Sequence, residues 1–351
     1  MPKETMTPKE RMLAVLKRQR IDRIPMNYSA TAEAHEKLKK YMGCDDNAVM
    51  DRLHIDRIVG VGPKYIGPEP APDTDIFGCR YKNISYGTGV YHECVFNPLA
   101  QYQTLDEIKN NYKWPSPDWY DYSEIPNQIK GMDNYPIQGG GSEPFLIYKN
   151  LRGQEQAFLD LILNPDIVRF CLDRLFNLAF QNTLRIFEAI PGKVMISYVA
   201  EDLGGQQDLM YSPQHIREFM LPWMKKMMDL VHKAGAFVFH HTDGAARKII
   251  PDLIEAGIDV LNPVQWRCKG MEREGLKRDF GNKLIFHGGV DNQYTLAFGS
   301  VEEVKQEVID NIRILGKGGG YILAPCHAIQ AISPPENIVA IYEAGYENGW
   351  A

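Results

Sequence analysis

From about residue 190 onward, short apolar runs alternate with longer amphipathic stretches. The runs are "VMISYVA", "AFVFH", "DVLNPV", "LIFHGGV" and "YILAP". Between them lie "SPQHIREFMLPWMKKMMDLVHKAG", "AARKIIPDLIEAG" and "VEEVKQEVIDNIRILGKGG". Short continuous apolar runs predict buried strands, and apolar positions recurring every three to four residues predict helices. Gly235, Gly257 and Gly318 fall where those helices end, which suits a left-handed cap. Strand, helix, strand in alternation predicts parallel β/α units. Upstream, "TPKERMLAVLKRQ" predicts an N-terminal helix begun by Thr7 and Pro8. "RIDRIPMNYSA" then reads as a charged turn leading into a first strand. Residues 60–100 are rich in glycine, proline and aromatics, an irregular excursion in which "ISYGTGVYHECVF" predicts a hairpin.

The polar residues fall at the ends of the apolar runs: Glu201 and Asp202; His241, Thr242 and Asp243; Asn262 and Gln265; Asp291 and Gln293; Cys326 and His327. In a (β/α)8 barrel all strand C-termini meet at one rim, and that rim holds the site. A doubly wound sheet brings fewer strand ends together, and no GxGxxG follows a strand here. The expected fold is therefore an α/β (β/α)8 TIM barrel in a single domain over residues 1–351. Residues 1–100 contribute the N-terminal helix and the excursion at the rim.

Composition narrows the function. The 351 residues carry 44% hydrophobic and 24% charged side chains with a net charge of −6. Such a chain offers no basic field for nucleic acid or an anionic membrane. No apolar run approaches the ~20 residues that span a bilayer, and the charged start "MPKETMTPKERML" lacks a signal-peptide core. The six scattered cysteines contain no CxxC pair, as in reduced cytoplasmic proteins. A soluble cytoplasmic protein is expected.

"FVFHHTDG" (237–244) carries the most suggestive chemistry. Side chains alternate along a strand, so His241 and Asp243 share one face while His240 and Thr242 face the other. A His-x-Asp pair at a strand end is a plausible half-site for a metal; His240 is expected to pack between barrel and helices. Glu201 or Asp202 faces the same rim, and Cys326 is the one cysteine at a predicted rim position. Met220, Met224, Met227 and Met228 recur at helical spacing and are expected in the core. Tyr65, Phe77, Tyr81, Tyr86, Tyr91 and Phe96 in the excursion offer apolar walls or a lid.

"ERMLAVLKRQRIDRIPMNY", "EDLGGQQDLMYSPQHIREFMLPWMKKMMDLVHKAGAFVFHHTDG", "LIEAGIDVLNPVQ", "FHGGVDNQYTL" and "GGGYILAPCHAIQAISPPENIVAIYEA" resemble the uroporphyrinogen decarboxylase superfamily over most of the chain. The resemblance implies a (β/α)8 fold and one of two activities. The decarboxylase branch grips an eight-carboxylate substrate with arginines in a segment of the form PVWxMRQAGR. Here "IPMNYSATAEAH" stands in that place, and no arginine occurs from Ile24 to Tyr41. Carboxylate recognition calls for the guanidinium fork, so porphyrinogen decarboxylation is not expected.

The other branch comprises zinc methyltransferases that work with corrinoid proteins and bind metal through His-x-Cys-Gly and Pro-Gly-Cys-Gly segments. Aligned on the glycine, "HTDG" puts His241 on the ligand histidine and Asp243 on the first cysteine. Aligned on the proline, "APCHAI" puts His327 on the last cysteine, with Cys326 one residue earlier. With this resemblance and the strand-end acids taken together, the expected site is Zn2+ bound by Glu201, His241 and Cys326, with Asp202, Asp243 and His327 as catalytic residues. Glu201 is preferred for its reach and Cys326 for its thiolate charge, while His327 stays open as the ligand at that strand end. A site poorer in thiolates leaves zinc a harder Lewis acid, suited to an ether oxygen. The implied reaction is demethylation of a methoxylated, aromatic compound, with the methyl group loaded on the Co(I) corrinoid of a partner protein. Transfer from a methyl-corrinoid to a thiol such as coenzyme M, or a non-catalytic subunit that binds a corrinoid protein, are the alternatives. A homodimer is compatible with all three.

Overall fold

The computed structural model describes residues 3–85, 87 and 89–350. In chain order the strands among them are β1 (Val59–Val61), β2 (Lys64–Tyr65), β3 (Arg80–Ser85), β4 (Val90–Phe96), β5 (Tyr120–Asp121), β6 (Ile137–Ser142), β7 (Val194–Val199), β8 (Phe237–His241), β9 (Val260–Val264), β10 (Ile285–Val290) and β11 (Tyr321–Pro325). Seven form one sheet in the order β1-β6-β7-β8-β9-β10-β11, every pairing parallel. Residues 24–27 fill the remaining gap. Met26 bridges Leu323 in parallel, Asn27 N donates to Leu323 O, and Asp56 N, just before β1, donates to Met26 O. The sheet therefore closes on itself as a (β/α)8 barrel. Its first member stays a short extended segment because Pro25 has no N–H to give a ladder.

The barrel interior is packed, not hollow. Ile196, Phe239, Val260, Ile285 and Ile322 meet inside it, and Met12, Val15 and Leu16 of the helix Pro8–Leu16 plug its lower end. Thr7 and Glu10 close a capping box at that helix's start, satisfying two otherwise unpaired N–H groups. Each plugging side chain contributes about 2 kcal/mol by leaving water. Buried Arg11 and Arg23 share the carboxylate of Asp56 and lock the plug to the chain ahead of β1.

Outside the barrel, the stretch expected as one helix after β7 is interrupted. Pro213–His215 runs into a wide turn at Ile216–Met220, and a regular helix resumes at Leu221–Lys233. Pro222 has no N–H for the preceding turn and its ring crowds the carbonyl four residues back. Met220, Met224, Met227 and Met228 are all buried against the barrel, the core placement expected of them. The expected hairpin is β3–β4, antiparallel and largely exposed. Tyr86 lies outside the described residues.

Candidate metal centre at the barrel rim

β7 and β8 end side by side, and the loops that follow them touch backbone to backbone. Gly244 has φ +80°, and a Cβ there would lie 2.3 Å from Gly204 O; one on Gly204 would lie 2.7 Å from Asp243 O. Only glycine permits both the left-handed backbone and this approach. Hydrogen bonds fix the contact: Glu201 N to His241 O at 3.0 Å, Leu203 N to Thr242 Oγ1 at 2.9 Å, and Asp243 N to Asp202 Oδ1 at 3.1 Å. The result is a cluster of Asp202, His241 and Asp243, each offering a ligand atom within 4.8 Å of the others. His241 Nε2 lies 3.7 Å from Asp202 Oδ1 and 3.8 Å from Asp243 Oδ1. On the far side of the ring, Nδ1 is 2.7 Å from Asn262 Oδ1.

These distances suit a cation. Tetrahedral zinc with ligands at ~2.0–2.2 Å separates neighbouring ligand atoms by roughly 3.4 Å; both His241–carboxylate distances lie within a few tenths of an ångström of that, and all three ligand atoms lie within 4.8 Å of one another. Asp243 Oδ1 is buried without a hydrogen-bond partner, a costly state for a carboxylate oxygen that a metal relieves. Burial pushes the Asp243 carboxyl up; His241 opposes that shift and Asp202 adds to it. The donor set, one imidazole and two carboxylates, neutralises a divalent ion and leaves a position open, as catalytic zinc sites do. Glu143, just past β6, is held above the ordinary carboxyl range by burial and then by Asp202. It is a third acid beside the cluster, and it was not among the expected site residues.

Two expected ligands lie elsewhere. Glu201 is buried, and its Oε1 accepts the N–H of Phe145 at 2.8 Å; consecutive Glu201 and Asp202 face opposite ways, and Asp202 is the one turned to His241. Cys326 is buried and its thiol donates to Val264 O at 3.0 Å. Burial pushes that thiol well above its ordinary range, and it is not part of the Asp202–His241–Asp243 cluster. His327 is exposed on the loop beyond β11, lining the cavities beside the cluster but not joining it. His240 points out of the barrel, its Nδ1 2.6 Å from Val199 O, and burial lowers it to about 4. Asp291 is occupied by the N–H groups of Gln293, Tyr294 and Thr295 and by Arg267.

Two cavities flank the cluster. One, of about 560 Å3, is lined by Asn27, Tyr28, Gln138, Tyr198 and His241. The other, of about 500 Å3, is lined by Tyr91 of the hairpin, Asp243, Gln265, Trp266 and Phe298. Cys326 and His327 border both. Among the described excursion aromatics named above, Tyr91 alone lines either of them; Phe77 and Tyr81 pack against the core.

The fold and the rim thus define a (β/α)8 barrel with a candidate metal centre at its strand C-termini. The family model described as uroporphyrinogen decarboxylase (URO-D) matches residues 77–347, and the chain belongs to that family. Among curated relatives, uroporphyrinogen decarboxylase of Legionella pneumophila (strain Corby) is 25% identical over 217 residues, 61% of this chain and 54% of the relative. The rice (Oryza sativa subsp. japonica) chloroplastic uroporphyrinogen decarboxylase 2 is 24% identical over 274 residues, 71% and 62% of the two chains. The chain therefore spans little more than half the length of the first of these. Among solved structures, a methyltransferase from Methanosarcina mazei superposes with a TM-score of 0.70 at 20% identity, covering 97% of this chain and 99% of that one.

Proposed function

We propose that this protein is a zinc-dependent methyltransferase that demethylates a methoxylated aromatic compound and passes the methyl group to the Co(I) corrinoid of a partner protein. The observation that carries the reading is the Asp202–His241–Asp243 cluster, with the orphaned Asp243 oxygen, set between two cavities at the rim. The structural likeness to a methyltransferase over nearly the whole chain supports it. Decarboxylation of a polycarboxylate fits less well. Asn27, Tyr28 and Ser29 form the cavity wall where the resemblance calls for arginines. Among the described residues Arg57 lines that cavity, exposed and hydrogen-bonded to Asn47, and Arg267 lines the other, paired with Asp291.

Bound zinc supplies a Lewis acid for the ether oxygen. Asp202, His241 and Asp243 would hold it, one neutral and two anionic donors. In the transfer the methyl–oxygen bond breaks, its electron pair stays on oxygen, and carbon bonds to cobalt, which goes from Co(I) to methyl-Co(III). The phenolate left behind takes a proton from solvent. Trp266, Phe298 and Tyr91 offer apolar walls for an aromatic ring. Exposed His327 borders both cavities, which supports a role in hydrogen-bonding the bound substrate.

The test mixes zinc-loaded protein, a Co(I) corrinoid protein and a panel of methoxyaromatics. The expected result is the methyl-Co(III) spectrum with stoichiometric phenol, and no carbon dioxide from uroporphyrinogen. Carbon dioxide release at a useful rate overturns the assignment, as does a metal-replete protein inert toward the whole panel.

A further inference from the structure

A line of hydrogen bonds crosses the barrel from the backbone beside β1 to His241. Asn27 Nδ2 donates to Asp56 O at 2.9 Å. Asn27 Oδ1 lies 3.0 Å from His287 Nε2, His287 Nδ1 lies 2.6 Å from Asn262 Nδ2, and Asn262 Oδ1 lies 2.7 Å from His241 Nδ1. The polarity of the whole line follows from its first member. A backbone carbonyl only accepts, so Asn27 must turn its amide nitrogen toward Asp56 and its oxygen toward His287. His287 is buried, and its desolvation disfavours the charged ring, so it carries one N–H. That N–H is spent on Asn27 through Nε2. Nδ1 is then bare and accepts from Asn262, whose oxygen is left to face His241 and can be met only by an N–H on Nδ1.

We infer that Asn262 and His287 are positioning residues that fix His241 as its Nδ1–H tautomer and leave Nε2 as a bare lone pair aimed between Asp202 and Asp243. The competing tautomer would place an N–H on Nε2, but the carboxylates stand at 3.7 and 3.8 Å, beyond hydrogen-bond reach, while Asn262 stands at 2.7 Å. The assignment concerns the ring of the metal-free protein and holds whatever reaction the rim performs; only its consequence for metal affinity rests on the zinc reading. A ligand histidine whose other nitrogen is held in this way is pre-set for metal. Asn27 and His287 never touch the cluster, yet the line makes His241 depend on them.

The experiment is 15N-resolved histidine spectroscopy on the metal-free full-length protein at about pH 9, where a histidine of ordinary pKa is neutral. Wild type is expected to show His241 protonated on Nδ1 in roughly fivefold or greater excess, the ratio one retained hydrogen bond supports. His287→Gln keeps the polarity, with its oxygen toward Asn262 and its nitrogen toward Asn27, and is expected to keep the excess. His287→Leu removes the acceptor that orients Asn262 and is expected to bring the two tautomers toward parity. If His287→Leu does not fold, Asn27→Leu breaks the line three hydrogen bonds from His241 and serves in its place. The same variants are titrated with zinc alone against a chromophoric chelator, where a roughly tenfold weakening is expected for the leucine variants and little change for the glutamine. A His241 ring protonated on Nε2 in wild type, or a tautomer ratio indifferent to folded His287→Leu and Asn27→Leu, overturns the inference. Expected tautomers without zinc binding would instead count against the proposed function and leave the line intact.

Discussion

Glu201 and Asp202 are neighbours in sequence with opposite assignments: Glu201 Oε1 receives the Phe145 N–H in the interior, while Asp202 Oδ1 receives the Asp243 N–H at the rim. Phe145 N belongs to the first turn of the helix Pro144–Arg152, where N–H groups lack helical partners. Glu201 therefore caps a helix that leaves the same rim, and burial raises its carboxyl well above the ordinary value. A group protonated in the folded state and ionised in the unfolded one stabilises less as pH rises from its unfolded value through its folded one. Glu201→Gln copies the protonated acid and removes that dependence. Expected by chemical denaturation is a variant close to wild type at pH 5 that gains on it toward pH 8, with zinc content unchanged. Loss of zinc in Glu201→Gln would return Glu201 to the ligand set.

Metal analysis of purified protein should find about one zinc per chain. His241→Ala and Asp243→Asn are expected to weaken zinc by more than the ~10–100-fold typical of an outer-shell partner, Asp202→Asn by a similar factor. His240→Ala should keep the metal, because its ring points out of the barrel toward Val199 O. Equal loss in His240→Ala and His241→Ala would show that the two rings are not divided between the faces of β8.

The sequence displayed much of this. Alternation of apolar runs and helices announced parallel β/α units, and the two-residue spacing of His241 and Asp243 announced a shared face. It failed where strand regularity ends. β7 stops at Val199, so parity no longer decides between Glu201 and Asp202, and reach was a poor substitute. β6 was hidden for another reason: "IQGGGS" looks like a loop, but a Cβ on Gly141 would sit 2.2 Å from Tyr198 O. Those glycines let β6 lie tightly against β7, and Glu143 rides on the end of that strand. Asn27 and His287 are 260 residues apart, and no local pattern joins them.

Acid should destabilise the protein through its buried imidazoles. Burial lowers His240 to about 4 and His287 to about 3, against an unfolded value near 6.5. Below that value the unfolded chain binds protons that the folded chain refuses, so stability falls as pH drops from about 6.5 toward 3. Glutamine cannot take up the proton, so His287→Gln should flatten the acid limb of a stability–pH curve. An acid limb identical to wild type would show that His287 is already charged in the folded protein.

The last prediction concerns Cys326 and His327, adjacent residues with different surroundings. The Cys326 thiol is buried, donates to Val264 O at 3.0 Å, and is held protonated by its burial. Forming a thiolate there would bury a charge near the acids Glu307, Asp291 and Asp243 and break that hydrogen bond. Cys326→Ser offers a hydroxyl to the same carbonyl, and it should retain zinc within about threefold, since no ligand is lost. Cobalt-substituted protein should show no sulfur-to-cobalt charge-transfer band. His327 is exposed and borders both cavities, and His327→Gln should also keep the metal while lowering turnover about tenfold or more if it loses the proposed substrate contact. A strong charge-transfer band that vanishes in Cys326→Ser would show that the loop beyond β11 rearranges on metal binding and delivers the thiolate to the cluster.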